Sequence, residues 1–61
     1  MDVKINGGKL YLNGKKVDLV NDGCVLVAEN IFCSSGALYV NEEYVYQFSV
    51  KEFNELLEGA S

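Results

Sequence analysis

The sequence predicts an α+β fold, an antiparallel β-meander of five to six short strands with one C-terminal helix packed on the sheet. Three observations predict it. Short segments of alternating apolar and polar residues fill positions 3–48, and alternation is the period of a strand with one buried face. Gly and Asn residues separate these segments and supply the positive φ angles of tight hairpin turns. Residues 49–59 then change to helical spacing.

The first two turns define a three-stranded meander and its register. We favour a first turn centred on Gly7-Gly8, because a centre one residue earlier opposes two lysines across the strands. A second turn at Asn13-Gly14 pairs Leu10 with Val17, which is a favourable apolar pair. The predicted core face consists of Val3, Ile5, Leu10, Leu12, Val17 and Leu19. The opposite face carries Lys4, Lys9, Tyr11, Lys16 and Asp18.

Residues 24–33 contain both cysteines of the chain. The segment Cys24–Ala28 is apolar at every position, which is typical of a strand covered on both faces. Glu29-Asn30 interrupts it, either as a tight turn or as a bulge, and the sequence favours neither. We expect Cys24 and Cys33 to be buried and reduced, since two cysteines are too few for a disulfide framework.

The segment from Ala37 to Phe48 predicts another hairpin, which turns at residues 41–43. Alternation places three aliphatic side chains on one side and four aromatic ones on the other, namely Tyr39, Tyr44, Tyr46 and Phe48. Tyrosine is enriched in protein interfaces, although aromatic residues are also common in strands for packing alone. The predicted partner-binding site consists of Tyr39, Glu42, Glu43, Tyr44 and Tyr46.

The C-terminal helix has the clearest local signals. Residues 49–52 form a capping box, with Ser49 as N-cap and Glu52 three positions later. Phe48 and Phe53 have the spacing of a hydrophobic staple, and Gly59 is expected to end the helix. The predicted apolar stripe consists of Val50, Phe53, Leu56 and Leu57. This stripe is expected to dock on the apolar face of the first three strands.

Several chemistries lack the residues that they need. The chain has no His, so the commonest general base and the partner of an activated thiol are missing. Its two cysteines are nine positions apart and lack the Cys-x-x-Cys spacing of a zinc half-site. Asp18–Gly23 lacks the ligand spacing of a calcium loop. We therefore predict that the chain is not an enzyme and holds no metal or cofactor.

Charge is distributed unevenly along the chain, whose formal net charge is −4. Residues 1–20 carry four Lys and two Asp, and residues 21–61 carry one Lys and seven Asp or Glu. An acidic chain has no general attraction to nucleic acid, and this polarity favours a partner with a basic surface. The start of the chain lacks a secretory pattern, and its apolar runs are too short to span a membrane. We expect a cytoplasmic protein without membrane association.

The length of 61 residues predicts one small domain, residues 1–61, with a thin core. We hypothesise a non-enzymatic protein-binding module that acts as an inhibitor or adaptor by occupying a partner's surface. A second hypothesis is a homo-oligomer that binds a small ligand between subunits, because an open meander leaves strand edges for pairing. A third is a structural subunit of a larger assembly. The small size and acidic composition of the chain suggest an origin in a phage or another mobile element.

Overall fold

The computed structural model of the chain describes residues 1–60, which form eight antiparallel strands and then one helix. The strands are β1 (Val3–Asn6), β2 (Lys9–Leu12), β3 (Lys15–Val17), β4 (Val20–Asp22), β5 (Val25–Ala28), β6 (Ile31–Ser34), β7 (Ala37–Val40) and β8 (Glu43–Gln47). The helix α1 spans Val50–Gly59. The α+β fold, an antiparallel meander closed by a C-terminal helix, is confirmed, with eight strands rather than five or six.

The additional strands arise because residues 20–22 form β4 and because a two-residue turn at residues 29–30 divides the next segment into β5 and β6. The hairpin turns themselves have left-handed backbone. Both residues of Ser35-Gly36 and of Asn41-Glu42 have positive φ, which is the conformation of the type I′ hairpin turn. Asn30 has φ 61°, so Glu29-Asn30 is a tight turn between β5 and β6 and not a bulge. Asn tolerates this left-handed region better than most residues do, and Asn30 and Asn41 adopt it in two of these three turns.

The strands form two sheets, β1-β2-β3 and β4-β5-β6-β7-β8, each in sequence order. The first sheet has the predicted register, with Ile5 opposite Leu10 and Leu10 opposite Val17. Only Asp18 and Leu19 connect β3 to β4. Leu19 is buried, so the chain anchors itself in the core at the point where it passes from one sheet to the other.

The hydrophobic core combines residues of both sheets and the helix. Its buried members are Leu10, Leu12, Leu19, Leu26, Cys33, Leu38, Phe48 and Leu56. We call the sheet faces that contribute to it the inner faces. Phe53 and Leu57 of α1 pack against this core, as predicted. Val50 does not, since it is exposed at the first turn of the helix, whereas the helix contacts the sheet through β2.

The start of α1 follows the predicted capping box. The Ser49 hydroxyl accepts a hydrogen bond from the Glu52 backbone N–H at 3.1 Å. In return, the Ser49 backbone N–H donates to the Glu52 carboxylate at 2.8 Å. The rings of Phe48 and Phe53 stack with their centroids 6.3 Å apart. These contacts satisfy helix N–H groups that have no intrahelical partner and fix the entry of the chain into α1.

The helix ends at Gly59, as predicted, and Gly59 also has a role that was not predicted. It is the last helical residue, and the extended Ala60 follows it as C-cap. The helix backbone lies directly against the β1–β2 turn at this point, where a Cβ on Gly59 would overlap the Gly8 carbonyl oxygen. The Lys9 ammonium donates a hydrogen bond to the Gly59 carbonyl at 2.9 Å. Glycine is therefore needed here for close approach, since any side chain would separate the helix from the sheet.

We expect Gly59→Ala to lower the free energy of unfolding by about 1–3 kcal/mol, because the added methyl group overpacks the Gly8 contact. Helix propensity alone gives the opposite sign, since Ala is the better helix former by about 1 kcal/mol. Asn54→Ala, at an exposed position of the same helix, is the control and should not destabilise. Urea unfolding followed by circular dichroism checks both variants. A Gly59→Ala protein as stable as the wild type would contradict the Gly8 contact.

The two cysteines lie in different environments, and both are free thiols. Cys33 is fully buried on the inner face of β6, as predicted, and its burial raises the pKa of the thiol to about 11. The prediction that Cys24 is buried is wrong. It follows Gly23 in the turn between β4 and β5, which is exposed to solvent.

We expect a thiol-alkylating reagent to modify the folded protein once, at Cys24, because the thiolate is the reactive form and Cys33 remains protonated and buried. Iodoacetamide labelling at about pH 8, followed by intact mass, checks this. A second modification should appear only on unfolding in urea. Cys24→Ser is the control and should remain unlabelled while folded. Equal labelling rates for the two thiols in the native protein would contradict the burial of Cys33.

Candidate functional site

The face of the β4–β8 sheet that points away from the core carries a continuous cross-strand row of apolar side chains. Following the strand pairings from β4 to β8, this outer row consists of Val20, Val27, Phe32, Tyr39 and Tyr44. Each strand of the sheet contributes one member. The row therefore crosses the whole sheet at right angles to the strands, and its members are nearest neighbours across the strands.

The outer row is substantially exposed to solvent. Val20 is 50% exposed, Phe32 44% and Tyr44 59%, whereas Val27 and Tyr39 are half-buried between their neighbours. Tyr39 contacts both flanking rings, with centroid distances of 6.4 Å to Phe32 and 6.0 Å to Tyr44. Such tilted and edge-to-face contacts hold aromatic rings in place. The row is consequently a connected apolar surface that water still reaches.

A wide groove of about 1040 Å³ opens over the middle of the outer row. The turn residues Asn30, Asn41 and Glu42 line one end of it. These two turns are joined by a hydrogen bond from the Asn41 backbone N–H to the Asn30 carbonyl at 2.9 Å. The opposite end is lined by Ser34, Ser35 and Gln47. The groove thus has an aromatic floor and polar ends, and it opens broadly to solvent.

The surroundings of the outer row are acidic. Residues 20–48 contain four carboxylates and no lysine or arginine, the carboxylates being Asp22, Glu29, Glu42 and Glu43. Four of the five lysines lie within residues 4–16, which form the other sheet. The two sheets therefore carry opposite charge, and the sheet with the apolar row is the negative one.

The structure divides the five predicted partner-binding residues between the two faces of the sheet. Tyr39 and Tyr44 lie in the outer row as an adjacent cross-strand pair, and Glu42 lines the groove beside them. Glu43 points to the other face, because it pairs with Val40, whose side chain packs against the core. Glu42 and Glu43 are consecutive and both exposed, but only Glu42 belongs to the groove.

Tyr46 does not lie on the same face as Tyr39 and Tyr44, because a β-bulge reverses the alternation of β8. Leu38 pairs with Tyr46 whereas Tyr39 pairs with Tyr44, so Val45 is an extra residue in β8. The Tyr46 ring packs edge-to-face on Phe48 at 5.2 Å, and its hydroxyl donates to the Glu52 carboxylate at 3.2 Å. The prediction that the three tyrosines share one face is therefore wrong. Tyr46 connects β8 to the start of α1.

Glu52 accepts hydrogen bonds from both the helix cap and Tyr46. The Ser49 backbone N–H lowers the pKa of Glu52, and the Tyr46 hydroxyl lowers that pKa further. The same hydrogen bond to Glu52 raises the pKa of Tyr46. A carboxyl group whose pKa is lowered on folding stabilises the protein above its unfolded pKa. This contribution is lost as the pH falls through the folded pKa.

We expect Glu52→Gln to be less stable than the wild type at neutral pH, because the amide is a weaker acceptor than the carboxylate. The difference in stability should disappear as the pH falls through the lowered pKa of Glu52, because the Glu52 side chain of the wild type is then also uncharged. Thermal unfolding at about pH 7 and about pH 3 measures it. Glu58→Gln, an exposed residue of the same helix, should show no such convergence. A gap for Glu52→Gln that is independent of pH would contradict the charged hydrogen bonds.

Three members of the outer row, Val20, Val27 and Phe32, were not among the predicted site residues. A usable signal exists in the sequence, because each two-residue turn fixes which residues lie opposite one another. The turn at residues 29–30 sets Val27 against Phe32, and the turn at residues 35–36 sets Phe32 against Tyr39. Once these turns are located, the apolar residues fall into one row.

Within residues 1–60, no cluster of three or more His, Cys, Asp or Glu side chains is arranged to hold a metal ion. Across the same residues, no helix has the length and apolar character needed to cross a membrane. No protein-family model, curated protein or solved structure gives a significant match to this chain.

Proposed function

We propose that this chain is a non-enzymatic protein-binding module that occupies the surface of a partner protein, as an inhibitor or adaptor, through the outer row. The observation that carries the proposal is the exposure of Val20, Phe32 and Tyr44 in one continuous apolar line across the sheet. Contiguous apolar surface with a polar border marks interaction sites on small proteins. Rings held by Tyr39 lose little conformational entropy when a partner covers them.

The charge around the outer row defines the chemistry of the partner. Glu42 at the end of the groove and the other carboxylates of this sheet favour a surface with Lys or Arg side chains. Cationic side chains also interact favourably with the faces of Phe and Tyr rings. The partner surface is therefore both apolar and basic. Two free thiols suit a reducing compartment, and we propose a cytoplasmic setting for the encounter.

A second candidate function is the binding of a small ligand between two subunits, and the groove over the outer row favours it. Its volume of about 1040 Å³ lies at the upper limit of the range for small-molecule pockets. Such pockets usually enclose most of their ligand, whereas this groove is broadly open. A second subunit would have to cover it, so this candidate also depends on the outer row as an interface.

We expect Glu42→Lys to weaken partner binding more than Glu43→Lys, because only Glu42 lines the groove. The two variants change the net charge equally and at adjacent exposed residues, so they form a matched pair. Tagged proteins are used to capture partners from a lysate of the source cells at about 0.15 M salt. Equal retention of every captured protein by the two variants would contradict a partner seated over the groove.

The aromatic side chains require a separate variant, Phe32→Thr combined with Tyr44→Thr, which retains strand propensity. We expect it to lose a partner that the wild type captures. Val50→Ser, which removes an exposed apolar side chain of α1, is the control and should retain that partner. Circular dichroism checks that all variants are folded. A double variant that captures the same proteins as the wild type would contradict the proposed role of the outer row.

A further inference from the structure

We propose that the surface which covers the outer row is the outer face of the β1–β3 sheet on a second copy of this chain. This inference rests on the proposed function, and it identifies the basic and apolar partner as another copy of the same chain. The face in question carries its own cross-strand row, in which Lys4 pairs with Tyr11 and Tyr11 pairs with Lys16. We call these three residues the basic row.

The basic row presents two cations and one ring to solvent. Lys4 and Lys16 are exposed, and Tyr11 is half-buried between them. The ammonium of Lys16 lies 3.5 Å from the Asp18 carboxylate, but the Lys16 side chain remains 50% exposed and that of Asp18 87%. Such exposed ion pairs contribute little and exchange readily. Both lysines are therefore available to a neighbouring molecule.

The two rows have the same spacing. Neighbouring strands are about 4.8 Å apart in any sheet, so Lys4 and Lys16, two strands apart, are separated by about 10 Å across Tyr11. Phe32 and Tyr44 are likewise two strands apart, on either side of Tyr39. When one row is laid over the other, each ammonium meets an aromatic ring. The two central tyrosines meet at the same time.

Charge selects this arrangement over its alternatives. Two outer rows placed face to face would bring the carboxylates of both copies together, which is repulsive. Placing the basic row on the outer row instead joins the positive sheet of one copy to the negative sheet of the next. The contact is heterologous, since the two surfaces differ. Each added copy leaves one free row of each kind, so association continues beyond a dimer unless the rotation closes a ring.

The experiment uses two variants that each remove one row. Lys4→Ala with Lys16→Ala removes the basic row, and Phe32→Thr with Tyr44→Thr removes the outer row. Sedimentation velocity from about 10 µM to about 1 mM, at an ionic strength of about 20 mM, measures association in a weak-affinity range. We expect the wild type to form assemblies whose size grows with concentration. Each variant alone should remain a monomer, with association weakened about tenfold or more.

An equimolar mixture of the two variants provides the decisive result. Each mixed pair has one intact basic row and one intact outer row, so we expect heterodimers that grow no further. Lys4→Arg with Lys16→Arg keeps the cations and should assemble as the wild type does. Salt at about 0.5 M should weaken every assembly by screening.

Two outcomes would overturn the inference. One is a wild type that stays monomeric at the highest concentration, and the other is a single-row variant that assembles unchanged. The capture experiment keeps the proposed function distinguishable. A monomeric wild type whose outer row still retains a different protein would refute self-association and leave protein binding in place.

Discussion

The turns of two residues are the constraint on which the rest of this structure depends. Because they leave strands of only three to five residues between them, each strand has only about two side chains for each face. The strands of both sheets are too short for either sheet to bury a core alone. Both sheets and α1 therefore contribute to one cluster around Leu10, Leu26 and Leu56. The backbone contact between Gly8 and Gly59 brings the helix near enough to close that cluster.

The short strands also account for the shape of the candidate interface. In β4, β6 and β7 the two outward positions hold one large apolar and one polar or small side chain, whereas in β5 both are valine. The large apolar surface therefore becomes a line across the sheet and not a broad patch. The connection through Leu19 separates the two sheets, and the charges follow this division. A short chain thereby presents two chemically different surfaces, an acidic aromatic one around Tyr39 and a basic one around Tyr11.

Sequence reasoning succeeded where local chemistry decides the conformation. Asn13-Gly14 fixed the register of the first sheet, and the capping box fixed the start of α1. It failed where the deciding factor is not local. The turn at Glu29-Asn30 lacks glycine, and therefore gave no clear signal. The bulge at Val45 adds one residue to β8 and so places Tyr46 on the opposite face of the sheet from the predicted one. Alternation alone does not reveal such a shift. The outer row depends on all of these turns together.

Tyr39 belongs to an outer aromatic row from which the bulge in β8 excludes Tyr46. Nuclear Overhauser effects among the assigned aromatic protons test this arrangement in solution. The structure requires contacts of the Tyr39 ring with Phe32 and Tyr44, and of the Tyr46 ring with Phe48. Contacts between the rings of Tyr39 and Tyr46 would place all three tyrosines on one face and contradict the bulge in β8.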